Sequence, residues 1–223
     1  NRDGTLDTRG CIFCHNGSSH FAQFGEYIDV QIDNAKCRVN NKVKSNKFIA
    51  YLQSFTNTYG DVDYLEKVFT KAAEREDIVA LSIGTRPDCL PENILKMLER
   101  LNEIKPVWVE LGLQTSNDNT GKIINRAYTS KQFTEAVNLL NKYNIDVVAH
   151  IMVGLPGETE KDLKNTVDFI NSHNIKGLKI HSCYVVKNTV LADMFYNGQY
   201  LPISLNYYLD SVIYILTHIN PNI

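Results

Sequence analysis

Apolar and polar positions along the chain follow two alternating rhythms. Runs rich in β-branched and other apolar residues cover Lys47 to Phe55, Ile78 to Gly84, Val107 to Gln114, Asp146 to Gly154 and Gly177 to Val186. The segments between and after them have helical spacing instead: Val62, Leu65, Val68, Phe69 and Ala72; Ile94, Leu95, Leu98 and Leu101; Phe133, Ala136, Val137 and Leu140; Leu163, Val167 and Ile170; then Leu209, Val212, Ile213, Leu216 and Ile219. The first rhythm predicts strands and the second amphipathic helices. Strand starts lie roughly thirty to forty residues apart, the length of a strand plus a crossover helix. Alternation of this kind builds a parallel sheet, so the chain is predicted to be α/β, either an open doubly wound sheet or a full or partial βα barrel. Residues 1–223 read as one domain, with no internal repeat, low-complexity tract or linker.

Both architectures place functional groups at the C-terminal ends of strands. There the sequence carries Gln53-Ser54-Phe55-Thr56-Asn57-Thr58, Gly84-Thr85-Arg86-Pro87-Asp88-Cys89, Glu110-Leu111-Gly112-Leu113-Gln114-Thr115, His150 ahead of Gly154-Leu155-Pro156-Gly157-Glu158, and finally Lys179, His181, Cys183 and Lys187. Individually these residues fit ordinary turns and caps. Together they predict a shared polar pocket, because a packed core would not tolerate unpaired Glu110, Arg86 and His150.

Composition narrows the class of protein. With 43% apolar residues and 22% charged, the chain can bury one large core, and a formal charge of -2 supplies no general field for wrapping nucleic acid. A basic run, Lys36, Arg38, Lys42, Lys44 and Lys47, reads as a solvated loop. No apolar stretch approaches the ~20 residues needed to span a bilayer, and no membrane partner is expected. The chain opens with Asn1-Arg2-Asp3-Gly4, without an initiator Met or a charged-then-apolar leader. A cytoplasmic protein with some N-terminal sequence missing is therefore expected.

Five cysteines, an odd number, argue for reduced thiols rather than a disulfide framework. Cys11 and Cys14, in Gly10-Cys11-Ile12-Phe13-Cys14, have the spacing that grips one metal ion or adjacent corners of an iron-sulfur cluster. Zinc held with His15 or His20 in a non-catalytic barrel is the competing reading. Cys37, Cys89 and Cys183 read as spectators.

Taken in order, Asn1-Arg2-Asp3-Gly4-Thr5, Gly10-Cys11-Ile12-Phe13-Cys14, Gly84 to Cys89, Glu110 to Thr115 and Gly154 to Glu158 resemble the YhcC-type radical S-adenosylmethionine (SAM) proteins. That group is related to the oxygen-independent coproporphyrinogen oxidases and the Elongator catalytic subunit. The resemblance implies an α/β, partial parallel (βα)6-type barrel, with the N-terminal strand and a C-terminal portion outside the visible chain. It also implies an enzyme with two cofactors. A 4Fe-4S cluster, held by three cysteines, chelates SAM through its open iron and cleaves it reductively, and the resulting 5'-deoxyadenosyl radical takes hydrogen from a substrate.

Roles are implied residue by residue. Cys11 and Cys14 match two cluster ligands, the third being expected upstream of Asn1, and Phe13 matches the aromatic position near adenine. Gln114 and Arg126 match SAM-contacting positions, guanidinium being suited to the methionine carboxylate. Glu110 matches a partner of the amino group or ribose, with a salt bridge inside the barrel as its other reading. Val153 and Gly154 match the edge beneath adenine. Two departures stand out: Gln53-Ser54-Phe55-Thr56 replaces a glycine-rich segment, leaving the part of Thr56 open, and His150 replaces an acidic ribose ligand, which points it toward substrate or proton transfer. The substrate, small molecule or tRNA, is not readable, and an electron donor such as flavodoxin or ferredoxin is implied.

Overall fold

The computed structural model describes residues 10–15 and 27–223, so the Asn1–Thr5 motif and His20 lie outside the described residues. The elements follow as α1 (Ile28–Asn40), β1 (Phe48–Leu52), α2 (Val62–Ala73), β2 (Ile78–Thr85), α3 (Glu92–Ile104), β3 (Val107–Gln114), α4 (Asp118–Ile123), α5 (Ser130–Lys142), β4 (Asp146–Val153), α6 (Glu160–Asn171), β5 (Gly177–Ser182), α7 (Val190–Tyr196) and α8 (Leu205–His218). Each strand pairs in parallel with the one before it, giving the sheet order β1-β2-β3-β4-β5.

That order decides between the two predicted architectures. A doubly wound sheet reverses its strand order at a switch point and carries helices on both faces. Here every step runs in the same direction, so the crossover helices collect on one side and the sheet curls around the other as a half-barrel.

The strand period of two then separates the faces chemically. Leu81, Ile83, Val109, Leu111, Val147 and Ala149 point outward and share one buried cluster with Phe69, Leu98, Phe133, Val137 and Ile170 from the helices. Full burial of a side chain such as Phe133 contributes roughly 1.5–3 kcal/mol. The alternate positions Ser82, Gly84, Glu110, Gly112, Gln114 and His150 line the concave face. Helix starts are fixed locally: at α5, Gln132 N donates to Thr129 Oγ1 and Thr129 N to Gln132 Oε1, a reciprocal cap.

Three features depart from the sequence reading. Lys36 and Arg38 of the basic run belong to α1, where Lys36 pairs with Asp77 rather than facing solvent alone. β1 ends at Leu52 instead of Phe55, because Ser54 (φ 72) and Phe55 (φ 61) take left-handed backbone that no ladder accommodates. β5 ends at Ser182 instead of Val186.

Candidate active site

The concave face encloses a cavity of about 840 Å³ whose wall includes Cys11, Phe13, Cys14, Thr56, Glu110, Gln114 and His150. Sequence positions as far apart as 11 and 150 are thus brought together.

The cysteine loop is held by its middle. Ile12 N donates to Ile124 O at 3.1 Å, Leu191 N donates to Ile12 O at 3.0 Å, and Asn125 Nδ2 donates to Gly10 O at 2.8 Å. The Ile12 side chain is buried with Ile124, Leu155, Leu191 and Tyr200. With that residue turned into the protein, the turn closed by Cys14 N and Cys11 O leaves both half-buried thiols on the cavity wall. Their soft donors suit iron or zinc. The other cysteines sit elsewhere: Cys37 is exposed on α1, while burial pushes the Cys89 thiol up to about 11 and also raises Cys183, leaving both as inert thiols. His15 lines the cavity, yet among the described residues no group of three or more His, Cys, Asp or Glu side chains is arranged around a metal position.

Above the floor of the cavity, the chain presents polar groups without using them all. Gln114 ends β3 with φ 60, and its Oε1 accepts from Tyr128 Oη at 3.1 Å. Tyr128 also donates to Gly112 O at 2.9 Å and is sandwiched between the guanidinium groups of Arg86 and Arg126, 5.0 and 5.1 Å from its ring. Burial, then the neighbouring Cys11, holds its phenol well above the ordinary range. Gly112 makes this packing possible: a Cβ there would lie 2.6 Å from Gln114 Nε2 and 2.8 Å from Tyr128 Oη. On the facing wall Ser54 Oγ is buried and has no hydrogen-bond partner among the described residues. A buried hydroxyl left open is costly unless a ligand completes it.

The floor is a network centred on Glu110, which is 6% exposed. Its carboxylate accepts hydrogen bonds from Ser82 Oγ, His150 Nε2 and Lys179 Nζ, each at 2.5 Å, and from the Tyr51 hydroxyl. Burial alone would raise its acidity constant, but the hydrogen bonds from His150, Lys179, Ser82 and Tyr51 outweigh it and hold the carboxyl well below the usual range. Tyr51 moves the other way, raised by burial and by Glu110. His181 Nε2 lies 3.2 Å from His150 Nδ1, and burial, His150 and Lys179 lower its imidazole to about 4. The salt-bridge alternative for Glu110 is therefore the arrangement observed, and its oxygens are engaged by four of its own neighbours.

Three expected residues are placed off this cavity. Arg126 is 0% exposed: Nη1 donates to Leu113 O and Thr115 O at 2.6 Å each, Nη2 to Asp118 at 2.6 Å, and Nε to Tyr128 O at 2.9 Å. All three guanidinium nitrogens donate within the β3–α5 connection, and Arg126 does not line the cavity. Val153 and Gly154 line a separate, smaller cavity of about 430 Å³ with Glu158, Tyr200 and Ile203. Neither Tyr51 nor Tyr128 stood out in the sequence, whereas Lys179 and His181, grouped there with the polar strand ends, both meet the Glu110 network, Lys179 through Glu110 and His181 through His150.

The family model described as the radical SAM superfamily matches residues 8–170, and that of the radical SAM C-terminal domain matches residues 175–223. The chain is 39% identical over 216 residues to the uncharacterized protein YtqA of Bacillus subtilis, covering 95% of this chain and 66% of that protein. It is 32% identical over 225 residues to protein YhcC of Escherichia coli, covering 100% and 72%. It thus spans about two thirds of the length of these curated relatives. The solved structure of the archaeal Methanocaldococcus infernus Elp3 superposes with a TM-score of 0.72 at 21% identity, over 85% of this chain and 49% of that one, a likeness of fold.

Proposed function

The chain belongs to the radical SAM superfamily, and on that premise we propose that the 840 Å³ cavity holds SAM against an iron-sulfur cluster and a substrate beneath them. The observation that carries this reading is the meeting of Cys11 and Cys14 with Phe13, Gln114 and the open Ser54 hydroxyl around one cavity.

The residues fit the cofactors. Cys11 and Cys14 would supply two thiolates from a loop already pinned through Ile12. Phe13 offers an apolar face for adenine, and Gln114, Thr56 and Ser54 offer hydrogen-bonding groups to the polar parts of SAM. When bound, cluster and SAM together supply the reductive cleavage that starts the reaction. The protein's own part is to orient them, and to keep water from the space between Phe13, Phe55, Tyr59 and Tyr128. Arg126 from behind this wall, and Tyr128 and Gly112 within it, fix the end of β3.

The test is anaerobic reconstitution followed by iron, sulfide and zinc analysis. Iron and sulfide in cluster proportion, with 5'-deoxyadenosine formed on adding SAM and a strong reductant, supports the proposal. Cys14→Ala should lose both iron and product. Stoichiometric zinc with no SAM cleavage would replace it by the zinc-barrel reading.

A further inference from the structure

We infer that His181 is the proton acceptor for a hydroxyl or N–H group of the substrate bound at the cavity floor, with His150 behind it to take the proton onward and Glu110 as the positioning residue that holds His150. The place of substrate rests on the radical SAM reading; the relay stands on its own geometry.

The direction of the relay follows from donor and acceptor counting. Glu110 is an ionised acceptor, so His150 must present a proton at Nε2 to make the 2.5 Å contact. In the relay inferred here the other nitrogen of that ring, Nδ1, keeps its lone pair. His181 Nε2, 3.2 Å away, then carries the proton of that contact, which leaves the lone pair of His181 at Nδ1. Among the described residues Nδ1 of His181 has no hydrogen-bond partner, and His181 lines the cavity.

The surroundings suit passing a proton through His181 rather than storing it there. Burial keeps His181 neutral, so its lone pair is available at neutral pH. When a substrate X–H bond breaks, an N–H bond forms at Nδ1 of His181, its Nε2 proton moves to Nδ1 of His150, and the positive charge rests on His150 against Glu110. No electrons move and no co-reactant is needed. The other titratable groups facing the cluster do not compete for this role. Lys179 donates to Glu110 from β5, and the Tyr51 phenol on β1 is held protonated by burial and by Glu110. Loss of a hydrogen atom from a carbon bearing O–H or N–H makes that group more acidic, which is when a nearby acceptor would act.

Histidine 15N NMR of the whole chain tests this, with the two rings assigned through His150→Gln and His181→Gln. Both rings should carry their proton at Nε2, with Nδ1 bare. Glu110→Gln should shift the pair's proton uptake to lower pH by about one unit, and Lys179→Met to higher pH by a similar amount, the scale on which a neighbouring charge acts. Lys179→Met keeps the test decisive if Glu110→Gln fails to fold. A His150 ring protonated at Nδ1 in the unmodified chain, or a titration moved by neither variant, overturns the relay. Because these signals need no cofactor, a wrong relay in a protein that cleaves SAM refutes only this inference, whereas a correct relay in a protein that binds no iron refutes only the radical SAM reading.

Discussion

Gly121 lies directly against the guanidinium of Arg126: a Cβ at position 121 would stand 2.9 Å from Nη2 and 3.1 Å from Cζ. The contact completes the enclosure of a charge that serves the carbonyls of Leu113 and Thr115 and the carboxylate of Asp118. Arg126→Met should therefore lower stability by about 3 kcal/mol, since three carbonyls, that of Tyr128 included, lose their donor and a carboxylate loses its partner. Urea unfolding should show a lower midpoint with an unchanged slope. A midpoint equal to that of the parent would mean that the enclosure is energetically empty.

Gly112→Ala probes the cavity rather than the fold. The added methyl comes nearest to the tips of Gln114 and Tyr128, so the strand can remain while Gln114 is displaced. Reconstituted protein should keep its iron and its unfolding temperature but bind SAM about tenfold more weakly, a change of roughly 1.4 kcal/mol. Unaltered SAM affinity would remove Gln114 from the proposed contacts.

Glu158 predicts a pH dependence. Its Oε1 is buried without a hydrogen-bond partner among the described residues, and burial raises its carboxyl to about 7, well above an unfolded carboxylate. The native state thus holds a proton that the unfolded chain releases. This contribution is fully present below the unfolded value near 4.5 and is lost as pH rises through about 7. Glu158→Gln should remove a loss on the order of 2 kcal/mol between pH 5 and pH 8. Denaturant titrations at the two pH values decide it: an equal loss in both proteins contradicts the assignment.

Thr58 joins two of the loops that shape the cavity. Its buried hydroxyl lies 2.5 Å from Thr85 Oγ1 and donates to Cys89 O at 2.6 Å. Thr58→Val keeps the shape and deletes these bonds, so about 2 kcal/mol of stability should disappear in thermal or urea unfolding. Unchanged stability would show that solvent replaces them.

Legibility in the sequence followed burial. β3 was readable to its ends, and β2 and β4 to within a residue, because their outward positions are apolar without a break and their inward positions alternate Trp108, Glu110, Gly112 and Gln114. α1 was not: it buries only Ile32, so no apolar stripe distinguishes it from a solvated loop. Short α4 and α7 span too few turns to display a period. Cys11, Phe13, Cys14, Thr56, Glu110, Gln114 and His150 could be gathered from motif order. The position of Arg126 could not, because it depends on left-handed Asn125 and Ala127, which turn its side chain back beneath β3.

Tyr51 and Lys179 belong to the two outermost strands, yet Lys179 Nζ sits 4.0 Å from the centre of the Tyr51 ring. Across the concave face these two strands are linked by a cation on an aromatic face and not by a backbone ladder. A ladder fixes its neighbours at one spacing, whereas this clasp can lengthen without breaking any peptide hydrogen bond. The aperture between the first and last strands is therefore the soft coordinate of the half-barrel, and a guest that draws Lys179 toward itself loosens the clasp as it enters.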